Sequence, residues 1–370
     1  LVPCYNEADI LESSIYGMER IRTQYGNVEY IFINDGSTDS TLNVLKDRLN
    51  LVRIARNTST ILPHSEITAI YVSSTHTNVY VIDKFNGGKS DALNAGINAA
   101  RHDLIVTLDG DTLLDDNALH VVNTEFHDTN VIAGGGVVHV LQSGQYASGK
   151  LNLRKLSLLV RLQVLDYLKG FMILMASPSR LNSLTVVSAA FGVFRKSVLN
   201  DVGGFRNTIG EDMDITIKIQ LYAMKHRGKR IVYMHDALSF TECPSTWREL
   251  FNQRVRWQKA YVDCLFTYFW SLLWRFFKGG LPFFFLFEVA TIGVLLSVYN
   301  LANVTSISLN EPYYVAMPVL LTYLIILALV SVFSNLVTLY IYGKFGGLIE
   351  KGNTFMLIRT IIGEVLVFRL

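Results

Sequence analysis

Two aspartates one residue apart, Asp109 and Asp111, follow the apolar run Leu104-Ile105-Val106-Thr107-Leu108. Carboxylates at that spacing at the end of a buried strand can both turn toward one hard divalent cation, which prefers oxygen ligands. Such a cation neutralises a diphosphate and stabilises it as a leaving group. Alone, the run also suits a solvated acidic turn, with Asp115 and Asp116 close behind. Other residues of the chain strengthen the chemical reading. Asp35, in Asn34-Asp35-Gly36-Ser37-Thr38-Asp39, ends an apolar run where a carboxylate can accept from a base or ribose. By itself the segment also reads as a turn followed by a helix N-cap. Gly87-Gly88-Lys89 pairs a flexible backbone that can approach a ligand with a lysine that can meet a phosphate. Its spacing is not that of a Walker loop. Glu211 and Asp212, with Asp214 beyond, gather acids in a segment otherwise suited to helix. One of them can take a proton from an acceptor hydroxyl, or the acids can complement a helix dipole. In Gln253-Arg254-Val255-Arg256-Trp257 an arginine beside a tryptophan offers a phosphate contact and an apolar platform for a sugar ring. The same segment also suits a basic-aromatic membrane anchor.

The elements that must position these residues alternate from residue 1 to about 140. A strand over Tyr30-Ile31-Phe32-Ile33 precedes a helix from Ser40 to Asn50; a strand near Val79–Ile82 precedes a helix from Asp91 to Ala100; the strand Leu104–Leu108 follows. Near-continuous apolar strands separated by helices predict a mostly parallel sheet covered on both faces. Ligands bind beyond the carboxyl ends of such strands, which is where Asn6, Asp35 and Asp109 fall.

Composition points the later chain toward a membrane. Half of the 370 residues are hydrophobic and 17% are charged, and the apolar excess collects after about residue 262. A net charge of +2 gives no general attraction to nucleic acid, so none is expected as a partner. Cys4, Cys243 and Cys264 lie far apart, a pattern against a zinc site or disulfide framework and suited to a reducing compartment. Residues 150–185 carry helical spacing in Leu156, Leu159, Val160, Val164, Leu165 and Leu168, for a core-facing helix or one touching the membrane surface. Tyr261–Lys278 is aromatic and apolar, with Trp270 and Trp274, as in a helix lying in the membrane interface. Leu281–Leu301 and Ala316–Tyr342 are each long enough to span a bilayer, and a third span starts near Phe355. Glu288 interrupts the first, where an ionisable group faces protein or water. The connection Ala302–Val315 has no Lys or Arg, whereas Arg275, Lys278, Lys344, Lys351 and Arg359 flank the outer sides. The positive-inside rule places residues 1–280 and the 343–353 loop in the cytoplasm. The chain reads as trimmed at both ends, with a strand begun before Leu1 and an apolar stretch cut at Leu370.

Taken in order, the segments resemble glycosyltransferase family 2, in its membrane-integrated branch of poly-N-acetylglucosamine, hyaluronan, chitin and cellulose synthases. The poly-β-1,6-N-acetylglucosamine synthases are nearest in motif wording. The resemblance runs along essentially the whole chain, and several motifs in order are more specific than any one. Pro3-Cys4-Tyr5-Asn6-Glu7 resembles the opening nucleotide motif, which implies nucleotide-sugar binding by Pro3, Tyr5 and Glu7. Asp35 then stands for the uridine-contacting aspartate, Asp109 and Asp111 for the metal motif, and Lys89 and Asn94 for a donor-binding segment. Glu211-Asp212 resembles the catalytic acid pair, with Asp212 as the base; Gln253, Arg256 and Trp257 resemble QxxRW beside the acceptor and diphosphate; Thr241-Glu242-Cys243-Pro244 resembles a further stretch of these synthases. Asn34 departs from the pattern, where many members carry a second Asp, and so does Ser188-Ala189-Ala190-Phe191-Gly192, which has Ala where Gly is common.

The resemblance implies a GT-A-type, Rossmann-like fold with a mixed, mostly parallel sheet, then interface helices and a transmembrane bundle. The implied domains are a cytoplasmic catalytic domain over 1–245, a QxxRW segment with interface helices over 246–280, and a multi-pass region over 281–370 in the plasma or inner membrane. The implied reaction is inverting transfer from a UDP-sugar, of UDP-GlcNAc or UDP-glucose type, to a growing polysaccharide coupled to export, with Mg2+ or Mn2+ as cofactor. Membrane lipids and an accessory membrane subunit are the other implied partners. Two alternatives stand beside it: transfer of a single sugar to a lipid-linked acceptor, and an inert transferase-fold scaffold.

Overall fold

The computed structural model describes residues 1–287, 295, 297–350 and 352–367. The described chain forms two compact bodies, the first made of residues 1–139, 184–242 and 248–267. Its strands in chain order are β1 (Val2–Cys4), β2 (Tyr30–Asp35), β3 (Leu51–Ile54), β4 (Ile67–Ser73), β5 (Val79–Lys84), β6 (Leu104–Thr107), β7 (Leu113–Leu114), β8 (Val131–Val140), β9 (Gly192–Arg195) and β10 (Arg230–Thr241). One sheet has the order β1-β2-β5-β4-β3 and the other β6-β9-β8-β10-β7. The pairs β1–β2 and β2–β5 are parallel. By contrast β5–β4, β4–β3, β9–β6, β9–β8 and β10–β7 are antiparallel. The expected mixed sheet is present, with a smaller parallel share than the apolar runs predict. An apolar run reports burial of both strand faces, and burial alone does not set strand direction.

All residues of β2 and of β8 are buried, as strands sandwiched between layers must be. In β8 a Cβ at Gly136 would drive into the Phe191 ring and the Ala237 carbonyl, so close packing there requires glycine. The helix Leu11–Gln24 buries Leu11, Ile15, Met18 and Ile21, a spacing that presents one apolar face. These side chains form one core with Phe32, Val81, Leu108, Phe191 and Val193. The Leu108 amide donates to the Leu1 carbonyl at 3.0 Å, so the end of β6 lies beside β1. Three of the expected elements shift only at their ends: helices at Thr41–Leu49 and Lys89–Ala99, and a strand at Val79–Lys84.

The second body comprises residues 140–183, 243–247 and 268–370. The expected linear boundaries at 245 and 280 differ from this division. Its physical basis is the helix Leu158–Lys169, which packs on helices Tyr313–Lys344 and Thr354–Val367. Lys169 Nζ donates to Glu364 at 2.5 Å, and Asn335 Nδ2 donates to the other oxygen of Glu364. Among the described residues, Tyr313–Lys344 is the one helix long and apolar enough to cross a membrane, and 11% of its most apolar stretch is buried. It contains the expected 316–342 span. The expected 281–301 span holds helix Gly280–Phe287 and the start of helix Ser297–Asn310, while 288–294 and 296, with Glu288, lie outside the described residues. The expected connection over 302–315 is corrected: its first part is helical through Asn310, and Tyr313 already opens the next helix. A run of 302–310 with no Gly or Pro has nothing to break a helix.

Candidate active site

Because β1, β2 and β5 run parallel, the segments that leave them emerge at one edge of the sheet. Asn6 follows β1 in the left-handed region at φ 54°. Its Oδ1 accepts from the Thr38 amide at 2.8 Å and the Asp39 amide at 3.3 Å. Glu7 N–H donates to Thr41 Oγ1 at 2.9 Å, so the first motif loop is tied to the loop after β2. Within that loop Pro3 is buried in β1 and Tyr5 is exposed.

The sequence expectation for Asp35 is a base or ribose contact. Its carboxylate is buried and accepts from Lys84 Nζ at 2.5 Å, from the Gly87 amide at 3.1 Å and from the Gly88 amide at 2.8 Å. Lys84 is 1% exposed and also meets Asp91 at 2.5 Å. Asp35 thus shapes the Gly87-Gly88 turn, with its oxygens taken up by interior donors. Gly88 has φ +88°, and a Cβ on Gly87 would strike the Asp91 carboxylate and Ser65. Asn94, expected on the donor, is likewise an interior clamp. It accepts from the Phe205 amide at 2.9 Å and donates to the Phe205 carbonyl at 2.9 Å and to the Pro63 carbonyl at 3.2 Å. These three bonds take both amide N–H donors and one of the two acceptor lone pairs.

Lys89 emerges from this turn as the first residue of helix Lys89–Ala99. Its ammonium donates to Asp109 Oδ1 at 2.5 Å and lies 3.2 Å from Glu211 Oε1. Burial alone pulls its pKa down, but Asp109 and Glu211 outweigh that and the group is held more firmly protonated than a free lysine. Asp111 accepts from Thr241 Oγ1 at 2.9 Å. Burial and then the Asp109 charge raise the Asp111 pKa. Glu7 shares this field: burial, then Asp109 and Asp111, push its carboxyl up to about 7. Its Oε2 is shut from solvent with no hydrogen-bond partner, and a Cβ on Gly110 would run into it. Asp212, beside Glu211 at the start of helix Glu211–Lys225, is pushed up to about 6 by burial and then by the Glu211 charge. A carboxylate poised near neutrality is suited to proton transfer. The next acid, Asp214, is structural: it is fully buried and held by Arg206 Nε at 2.8 Å and by Lys218 at 3.1 Å.

The QxxRW segment lies on helix Trp247–Leu273. A Cβ on Gly210 would strike Ala260, so this helix packs against the turn that opens the acid-pair helix. Arg206 also reaches Asp263, and Thr208 donates to Asp263 at 2.8 Å, which ties the same two segments. Gln253 Oε1 is buried without a hydrogen-bond partner. Trp257 is 41% exposed, and the guanidinium over its ring is that of Arg254, 4.2 Å from the centroid; Arg256 is exposed. Residues three apart on a helix are neighbours, so the spacing of Arg254 and Trp257 is the signal that finds this pair. Lys84 had no comparable signal beyond a charge at the end of an apolar strand.

The residues around Asp109 fit a divalent cation. Asp109 and Asp111 offer hard oxygens one residue apart, Glu7 adds a carboxyl oxygen without a partner, and a cation, the Lys89 ammonium, already lies against Asp109. Among the described residues no three His, Cys, Asp or Glu side chains are grouped to hold an ion by protein ligands alone. Two carboxylates with the remaining ligands from phosphate and water is the arrangement Mg2+ commonly takes at phosphate-bearing sites. A separate cavity of about 640 Å³, lined by Tyr25, Asn27, Glu29, His102 and others, shares none of these acids.

The fold is of the GT-A type. The pattern of glycosyltransferase-like family 2 matches residues 1–260, and the chain belongs to that family. A poly-β-1,6-N-acetyl-D-glucosamine synthase of Staphylococcus epidermidis is 26% identical over 275 residues, 74% of this chain and 56% of that protein. The synthase of the same name from Staphylococcus aureus is 28% identical over 276 residues, with the same shares. The chain therefore matches little more than half the length of these relatives. Among solved structures, the mannosyltransferase PcManGT of Pyrobaculum calidifontis, in complex with GDP-mannose and Mn2+, superposes with a TM-score of 0.51 at 17% identity. That match covers 85% of this chain and 81% of the mannosyltransferase, and shows a shared fold.

Proposed function

We propose that the chain transfers sugar with inversion from a UDP-sugar, of UDP-GlcNAc or UDP-glucose type, to a growing β-linked polysaccharide at a membrane. One observation carries the reading: Lys89 bridges Asp109 of the paired aspartates and Glu211 of the acid pair, so donor-side and acceptor-side groups belong to one charged cluster. The relatives' shared name favours an N-acetylglucosamine donor. Bound at Asp109 and Asp111, Mg2+ or Mn2+ supplies charge neutralisation for the departing diphosphate. Pro3, Tyr5 and Glu7 border the nucleotide, Asp35 and Asn94 shape its loop and floor, and Lys89 reaches the phosphates. Asp212 accepts the proton of the acceptor hydroxyl as its oxygen bonds to the anomeric carbon and the bond from that carbon to the diphosphate breaks. Gln253, Arg256 and Trp257 border the acceptor and diphosphate. The helix Tyr313–Lys344 supports attachment to a bilayer, with the flanking Lys and Arg on the cytoplasmic side. Export of the polymer and an accessory membrane subunit complete the proposal.

The test supplies purified chain in lipid with labelled UDP-GlcNAc, UDP-glucose, UDP-galactose or UDP-glucuronate, and sizes the product. The reading expects metal-dependent incorporation of one N-acetylglucosamine or glucose donor into long polymer. Label confined to a single-sugar lipid would sink the polymer reading, and no transfer from any donor would sink the enzyme reading.

A further inference from the structure

A divalent cation cannot lie between the Lys89 ammonium and the Asp109 oxygen that it holds. Lys89 Nζ sits 2.5 Å from Asp109 Oδ1, well inside any distance at which a divalent cation could be interposed. It reaches that oxygen from a turn with little freedom. The Gly87 and Gly88 amides are held by Asp35, Asp35 is held by Lys84, and Gly88 sits at φ +88°. The second partner of the ammonium is Glu211, at 3.2 Å, so a single positive charge joins the strand-end aspartates to the acid pair. Glu7 and Asp212 add further negative charge around it.

We propose that Lys89 is a resident counter-cation: it occupies Asp109 until a divalent metal arrives with a nucleoside diphosphate, and it then transfers to the diphosphate. The inference rests on the reading of Asp109 and Asp111 as the metal site. Metal alone competes with the ammonium for the charge of Asp109 and leaves it facing the metal's like charge. Metal with a diphosphate gives the displaced ammonium a new anionic partner. Binding of metal and of nucleotide is therefore cooperative, and linkage makes that coupling reciprocal. The device also keeps the acids compact and neutralised when no donor is bound, where bare carboxylates at this spacing would repel one another.

The experiment measures Mn2+ binding to the full chain in detergent, by the electron paramagnetic resonance of free Mn2+, with and without UDP. In the wild-type chain Mn2+ alone binds weakly and UDP tightens it. Lys89→Met and Lys89→Gln bind Mn2+ alone more tightly, on the order of tenfold, and lose most of the tightening by UDP. Lys89→Arg, which keeps the charge, behaves as wild type. Met and Gln variants that bind Mn2+ no tighter than wild type would overturn the inference, as would an Arg variant as tight as Met, since packing rather than charge would then be at work. The double variant Lys89→Met with Asp111→Asn separates the two levels of the argument. Loss of Mn2+ binding there supports the metal assignment whatever the single variants do, whereas undiminished binding removes the assignment and the inference with it.

Discussion

Replacing Asp212 by Asn is expected to stabilise the protein while it disables the reaction. The carboxyl of Asp212 is shifted from an ordinary 3.8 to about 6, chiefly by burial and then by the adjacent Glu211 charge. Two pH units at 1.36 kcal/mol each mean that holding the group ionised costs the fold up to about 3 kcal/mol. The sign follows from linkage: the folded state binds this proton more tightly than the unfolded chain does. Stability from this group is therefore full below about pH 4 and is lost as pH rises through about 6. Asparagine is neutral throughout and nearly isosteric, so the variant escapes the loss. Thermal unfolding followed by tryptophan fluorescence should give a higher Tm for Asp212→Asn than for wild type at pH 8, and nearly equal values at pH 4. A variant less stable than wild type at both pH values would refute the reasoning, because the ionised carboxylate would then be making interactions that outweigh its burial. Gains in stability at a cost to activity are the usual mark of a site kept strained for function.

Other perturbations follow from the same geometry. With Asp212 as base, kcat/KM for transfer rises with pH along a limb centred at about 6, and a flat profile from pH 5 to 8 would count against that role. Gly110→Ala, between Asp109 and Asp111 in the chain, pushes a methyl group into the Glu7 carboxylate. Displacement of about an ångström at such a site costs on the order of 10²-fold in rate, to be read as UDP release with Tm close to wild type. Lys84→Met leaves the Asp35 and Asp91 carboxylates without their shared interior cation. Breaking a buried pair in this way costs roughly 3–5 kcal/mol, so a large fall in Tm is expected and an unchanged Tm would show the pair to be dispensable.

The chemical residues that could be read from the sequence are those whose context is local. Asp109 and Asp111 are legible because the buried strand before them and their one-residue spacing sit in a single stretch of chain. Lys84 was not legible. At the end of Val79-Tyr80-Val81-Ile82-Asp83-Lys84 a lysine reads as solvated, and its burial depends on register with β2, where Asp35 lies directly opposite. Asp35 was legible as a strand-end acid but not in its orientation, because the amides that claim it come from a loop some 50 residues later. The interior partners of Asn94 were illegible for the same reason: Phe205 is 111 residues away. Arg256 adjoins Trp257 in sequence, yet helical geometry gives the ring to Arg254. The long apolar helix that contains 316–342 was legible from its composition, whereas the grouping of residues 140–183 with the C-terminal helices rests on contacts such as Lys169 to Glu364, 195 residues apart.

The proposed reaction requires Asp109, Asp111 and Asp212 to serve one transfer. The most direct measurement is UDP release from the preferred UDP-sugar by the purified chain with Mn2+, alongside UDP binding, for wild type and Asp212→Asn. The account predicts a loss of 10²- to 10⁴-fold in release, the range for a general base, with UDP affinity largely kept. Full turnover by Asp212→Asn, or loss of UDP binding together with activity, would contradict it.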